Sequence, residues 1–114
     1  MPLFLIQFSY SSRATKSLVE KPDDDNASEA EAMVASVGAK LLGYWFAFGK
    51  FDGVTLIDAP NNHVAAAVAL AVGGGGHVTR VETTVLMTME EARAARRTAA
   101  TATHVPPNEN GESR

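Results

Sequence analysis

The sequence contains no cysteine, and this absence removes three kinds of chemistry at once. Disulfides, thiolate metal sites and thiol nucleophiles are all excluded. A chain of 114 residues without disulfides must be held together by packing alone. Because such chains are typical of reducing compartments, we expect a single domain in the cytoplasm.

The chain also lacks an excess of positive charge. Its formal net charge is −3, so its summed field repels polyanions. We therefore expect no nucleic-acid partner and no membrane partner. The apolar start, residues 1–8, has no basic region before it and ends at polar residues 9–12, which is too short for a signal segment or a spanning helix.

The sequence also lacks the short motifs that would indicate a particular reaction. No serine lies in a Gly-x-Ser-x-Gly elbow, and the glycine run 73–76 follows a helical pattern, whereas a phosphate-binding loop follows a strand. The aspartates 23–25 lack the glycine and distal glutamate of a calcium loop. His63 and His77 lack metal-ligand spacing, so we expect no metal and no cofactor, with a metal or haem held by distant segments as the weaker alternative.

Alternating apolar residues are present and predict four strands. Segment 3–10 has a period of two, with its more strongly apolar face at even positions. Segments 39–48 and 54–59 are rich in aromatic and β-branched residues and are joined by a glycine-containing turn, which predicts a hairpin. Segment 78–87 alternates again and predicts the last strand.

Helical signals fall between these strands. Asn26 with Glu29 predicts the start of a helix that Gly38 ends, and Asn61 or Asn62 can cap an alanine-rich helix over 63–72. Thr88 to Glu91 is a capping box for a third helix, and the polar segment 11–21 could form a short one. These helices complete the pattern of secondary structure.

The order of these elements predicts a ferredoxin-like βαββαβ α+β fold with an antiparallel four-stranded sheet and an extra C-terminal helix. We expect the domain to span residues 1–97, with a flexible polar tail over 98–114. The even residues of the first strand should face the helices. The opposite face would expose an apolar patch, which predicts a homodimer or higher oligomer formed sheet against sheet. The residues expected in that patch are Leu3, Leu5, Leu41 and Trp45.

Short motifs in a fixed order carry a family resemblance. Residues 49–52, Gly-Lys-Phe-Asp, stand in place of a Gly-x-Tyr-Asp signature, and a strand ending in Asp58-Ala59-Pro60 follows. The alanine-rich segment 65–73, the strand at 80–84 and the acidic segment 88–91 complete the match. Over residues 3–95 the chain thus resembles the GYD domain family, small bacterial proteins of the dimeric α+β barrel class.

The resemblance implies a ferredoxin-like homodimer but no particular reaction. Structural relatives of the family include cofactor-free monooxygenases, haem-degrading enzymes, lactone isomerases and effector-binding modules, and fold alone does not choose among them. Two departures matter here. Phe51 lacks the hydroxyl of the signature tyrosine, and residues 61–63, Asn-Asn-His, stand where acidic residues commonly follow.

Several polar and aromatic residues are candidates for a ligand site on the face opposite the helices. The proposed ligand-binding residues are Gln7, Trp45, Arg80 and Glu82, with Tyr44 or Tyr10 adding aromatic surface according to strand register. The simpler interpretation is an ion pair between Arg80 and Glu82 at a subunit interface.

Candidates for proton transfer and charge stabilisation are Asp52, His77 and Arg80. Asp52 lies at the mouth of the hairpin, where the simpler interpretation is a turn residue that caps loop amides. Three hypotheses follow. The first is a module that binds a small, partly apolar molecule between sheet and helices; the second is a cofactor-free isomerase or monooxygenase-like enzyme acting on an aromatic or carbonyl compound; the third is a purely structural assembly protein.

Overall fold

The computed structural model describes residues 2–103, which form four strands and four helices. The strands are β1 (Leu3–Tyr10), β2 (Lys40–Phe46), β3 (Gly53–Asp58) and β4 (Val78–Leu86), and the helices are α1 (Ser12–Glu20), α2 (Asn26–Ser36), α3 (Asn62–Gly74) and α4 (Met89–Ala99). The strands pair antiparallel in the order β2-β3-β1-β4. This is the ferredoxin-like arrangement, and the predicted fold class is confirmed.

Helix starts are set by side chains that accept hydrogen bonds from amides of the first turn. Ser11 caps α1, Asn61 caps α3, and Thr88 with Glu91 forms the predicted capping box of α4. The hydrogen bonds from the backbone and side chain of Thr88 hold the pKa of Glu91 below its usual value. In α3 the helix continues through Gly73 and Gly74 and ends before Gly76, which has a φ of 77°.

The cap of α2 differs from the prediction. Asp25, rather than Asn26, is the N-cap residue. Its carboxylate accepts a hydrogen bond from the Ser28 hydroxyl at 2.7 Å and another from the Ser28 amide at 3.0 Å, and these bonds lower the pKa of Asp25. An aspartate placed to accept both bonds therefore starts the helix one residue earlier than expected.

The hydrophobic core lies between the sheet and the helices. Phe4, Ile6 and Phe8 of β1 are buried, as predicted, and lie on the side of buried residues of α2 and α3. Alternation also buries Thr55 and Ile57 of β3, which lie directly opposite Ile6 and Phe4. The buried core residues include Phe4, Ile6, Ile57, Val34, Ala65 and Val68.

A bulge in β2 changes which residues of that strand face the core. Leu41 pairs with Ile57 and Gly43 pairs with Leu56, so Leu42 is an extra residue. The prediction that Leu41 lies on the open face with Trp45 is therefore wrong. Leu41 packs against the core, because the extra residue reverses the alternation between it and the end of the strand.

The face of the sheet opposite the helices is uncovered in the protomer. It carries Leu3 and Leu5 of β1, Leu56 of β3 and Trp45 of β2, whose side chain is 54% exposed. We call this surface the open face. Dimerisation through it stays a prediction.

The last helix stands apart from the rest of the fold. None of the residues of α4 is buried, and the helix makes almost no contact with the sheet or the other helices. The predicted boundary at residue 97 falls within α4, and residues 104–114 of the predicted tail lie outside the described residues. Within residues 2–103, no helix has the length and apolar character needed to cross a membrane.

Candidate functional site

A cavity of about 380 Å³ lies between the helix side of the sheet and helices α1, α2 and α3. Its volume falls within the range of small-molecule sites, roughly 300–1,000 Å³. Alanines on all three helices line it, namely Ala14, Ala30 and Ala71. Because these short side chains do not fill the space above the sheet, the helices leave a cavity that is partly open to solvent instead of a fully packed core.

The sheet side of the cavity carries a pair of tyrosines, the only two in the sequence. The hydroxyl oxygens of Tyr10 and Tyr44 are 2.7 Å apart and share a hydrogen bond. The ring of Phe8 meets both tyrosine rings edge to face, with centroids 5.5 Å and 5.9 Å away. The three rings together form an aromatic floor with two hydroxyl groups.

Burial raises the pKa of Tyr44, and the hydrogen bond with Tyr10 raises it further. The hydroxyl of Tyr44 therefore stays protonated at neutral pH and acts as a hydrogen-bonding group. It cannot serve as a general base there. Thr55 also lines the cavity, but its hydroxyl donates to the carbonyl of Ile6 at 3.0 Å.

The sequence predicts that the two tyrosines add aromatic surface to a site on the open face according to strand register, whereas the structure places both on the helix side. Tyr10 continues the even series of β1, so its alternation with Phe8 was a usable signal. Tyr44 pairs with the buried Thr55 across the hairpin. Its neighbour Trp45 lies on the open face, as predicted, so alternation along β2 also places Tyr44 on the helix side.

Asp52 lies at the end of the hairpin beside β1, and its polar groups are engaged with the backbone. Its carboxylate accepts a hydrogen bond from the amide of Tyr10 at 2.9 Å, and its own amide donates to the carbonyl of Phe8 at 2.9 Å. Asp52 does not line the cavity. Its geometry is that of a residue joining the hairpin loop to β1, and a catalytic role stays a prediction.

The proposed ligand-binding residues come together on the open face. Trp45, Val54, Gln7 and Glu82 are successive partners across the sheet and form one row over all four strands. None of these four lines the cavity, nor does Arg80. Strand alternation correctly predicts that these residues share one face of the sheet, but that face is the one opposite the cavity.

Arg80 is already occupied by two contacts. Its guanidinium is 2.9 Å from the carboxylate of Glu82, and both side chains are about half exposed. The guanidinium also lies 5.3 Å from the ring centroid of Phe51, which is 7% exposed. The residue in place of the signature tyrosine thus packs beneath the ion pair.

Of the proton-transfer candidates, only His77 lines the cavity. Its side chain is exposed, and its carbonyl accepts a hydrogen bond from the amide of Ser11 at 2.8 Å. His63 is exposed in the first turn of α3. Among residues 2–103, no group of three histidine, aspartate or glutamate side chains is placed to hold a metal ion.

Comparisons with known proteins agree with this architecture. The sequence model of the GYD domain matches residues 4–95. Among solved structures, the crystal structure of FFRP-DM1 superposes with a TM-score of 0.51 at 8% identity, covering 76% of this chain and 100% of that chain. At that identity the likeness shows the fold alone. No curated protein matches the sequence. Because the family match spans most of its length and confirms the resemblance of its motifs, the chain belongs to the GYD domain family.

Proposed function

We propose that this protein is a small-molecule-binding module whose partly apolar ligand occupies the cavity between the sheet and the helices. The observation that carries this proposal is the cavity itself, which combines an apolar lining with two hydroxyl groups. Apolar walls provide the driving force for binding, and a few fixed polar groups orient the ligand. The enzymatic hypothesis gains no support from Arg80, which is paired with Glu82 and lies outside the cavity.

We also propose that two copies assemble through their open faces. An exposed tryptophan beside Leu3, Leu5 and Leu56 makes an apolar surface of the kind that proteins cover. Dimerisation leaves the cavity, on the other side of the sheet, free for its ligand.

The binding proposal is tested by filling the cavity from α2. Ala30 lines the cavity, whereas Ala32 on the same helix is exposed and does not. Wild-type protein is titrated with N-phenyl-1-naphthylamine, a neutral dye that fluoresces in apolar surroundings. We expect one dye per chain, weakened about tenfold or more by Ala30→Phe and unchanged by Ala32→Phe. No binding to the wild type, or equal binding to both variants, would refute the cavity as the site.

The assembly proposal is tested with a matched pair of leucine substitutions. Leu5 lies at the centre of the open face opposite Leu56, and Leu70 is an exposed residue of α3. Sedimentation equilibrium of the wild type should give twice the protomer mass of 12.1 kDa. Leu5→Lys should give the protomer mass, because it introduces a charge at the interface, and Leu70→Lys should stay dimeric. A wild type that sediments as a single chain would contradict the proposal.

A further inference from the structure

We propose that the cavity selects uncharged, flat aromatic ligands that carry a hydrogen-bond acceptor, such as aromatic ketones or quinones, and that the Tyr10–Tyr44 hydroxyl pair binds that acceptor. This inference rests on the proposed function, since it names the ligand class of the same cavity. Three features of the lining carry it. They are the number of available protons, the shape of the aromatic floor and the sign of the charges.

The count of protons shows that the pair has one hydrogen bond left to donate. Two tyrosine hydroxyls carry two protons, and the bond between Tyr10 and Tyr44 uses one of them. The other proton has no acceptor among the described residues. Burial keeps Tyr44 protonated, so the donor is retained at neutral pH. A ligand with a carbonyl oxygen at this point supplies the missing acceptor.

The aromatic floor favours a flat ligand. The ring of Phe8 stands at 75° to the ring of Tyr10 and at 87° to that of Tyr44. Phe8 is buried and holds the two tyrosine rings in place, so the aromatic surface left for a ligand is that of the partly buried Tyr10 and Tyr44. Above them, the partly buried apolar side chains of Met33 and Val72 line the cavity from α2 and α3. A flat ring held between these two surfaces buries both of its faces.

The charged lining disfavours an anion. The carboxylates that line the cavity are those of Asp24 and Glu29, and no lysine or arginine is among the lining residues described. His77 is the one lining residue that can become a cation, and its side chain is exposed. An anionic ligand would lose its hydration without gaining a fixed positive partner, whereas a neutral carbonyl compound loses much less.

The test uses three ligands that share a naphthalene ring and differ in one substituent. 2-Acetylnaphthalene has a neutral acceptor, 2-ethylnaphthalene has none, and 2-naphthoate is an anion. Dissociation constants are measured at pH 8, where an ordinary histidine is neutral. We expect the ketone to bind roughly tenfold more tightly than the ethyl compound, as one well-placed hydrogen bond allows, and the carboxylate to bind most weakly.

A double substitution, Tyr10→Phe with Tyr44→Phe, supplies the control. It removes both hydroxyls and keeps both rings, so neither tyrosine can replace the other as donor. We expect the double variant to bind the ketone and the ethyl compound equally, at the affinity of the ethyl compound for the wild type. Circular dichroism of the variant verifies that it remains folded.

The outcomes separate this inference from the proposed function. If the wild type binds none of the three naphthalenes, cavity binding itself is refuted and the inference falls with it. If the ethyl compound binds as tightly as the ketone, or the carboxylate binds best, the cavity is a site but the proposed selectivity is wrong. A preference for the ketone that persists in the double variant would also overturn the role of the tyrosine pair.

Discussion

A Cβ atom on Gly53 would overlap the ring of Phe8. The two residues are direct partners in the antiparallel pairing of β1 with β3, and the ring lies over the glycine backbone. That ring also contacts both tyrosines edge to face. The absence of a side chain at Gly53 therefore sets the position of the whole aromatic floor of the cavity.

Substituting Gly53 should both destabilise the fold and disturb the cavity. Gly53→Ala forces the ring of Phe8 to move within a packed interior, and we expect a loss of about 1–3 kcal/mol in the free energy of unfolding, measured in urea. Gly49→Ala is the control, because nothing lies within 4 Å of a Cβ there and its φ is not positive. Its stability should change by less than about 0.5 kcal/mol. Equal effects of the two substitutions would show that Phe8 is not tightly held.

Removing either of two helix caps of similar chemistry should affect the stability of the fold differently. The side chain of Asn61 accepts a hydrogen bond from the amide of Val64 at 2.9 Å, and Thr88 accepts one from Glu91 at 3.0 Å. α3 packs on the core, whereas α4 has no buried residue. Asn61→Ala should therefore lower the global free energy of unfolding by about 1 kcal/mol. Thr88→Ala should leave the global value unchanged and increase hydrogen exchange only within α4.

The raised pKa of Tyr44 predicts how stability depends on alkaline pH. In the unfolded chain Tyr44 loses its proton near pH 10, whereas in the folded chain burial keeps it protonated at that pH. The unfolded state then binds fewer protons, so stability falls as pH rises above about 10 and through the higher folded pKa. Below about pH 9 this group makes no contribution to the pH dependence.

Ultraviolet titration of the Tyr10→Phe variant measures the ionisation of the Tyr44 hydroxyl directly, because Tyr44 is then the only tyrosine. We expect it to resist ionisation at pH 10.5 as long as circular dichroism shows the native fold, since burial is the main cause of its raised pKa. In 8 M urea it should titrate near pH 10. Ionisation near pH 10 in the folded variant would mean that the hydroxyl is not buried.

Most of the fold could be predicted from local patterns in the sequence. The aromatic and glycine-rich hairpin, the capping box at Thr88 and the alternation in β1 each depend on neighbours a few residues apart. Such signals need no knowledge of tertiary contacts. They predicted the sheet, the buried face of β1 and the family correctly.

The candidate site could not be read in the same way. The bulge at Leu42 reverses the alternation of β2, and only the pairing with β3 reveals it. With that bulge, Leu41 packs against the core although Trp45 lies on the open face, so the alternation at the end of β2 does not extend back to Leu41. The cavity itself arises where small residues of three separate helices meet above the sheet, a property of packing that no single segment contains.

The most direct test of this account is a crystal structure of the protein soaked with 2-acetylnaphthalene. We predict density for the naphthalene ring in the cavity beneath α1, α2 and α3, with the ketone oxygen within hydrogen-bonding distance of the hydroxyl of Tyr10 or Tyr44. Density on the open face beside Trp45 and Arg80, with the cavity unchanged, would contradict it.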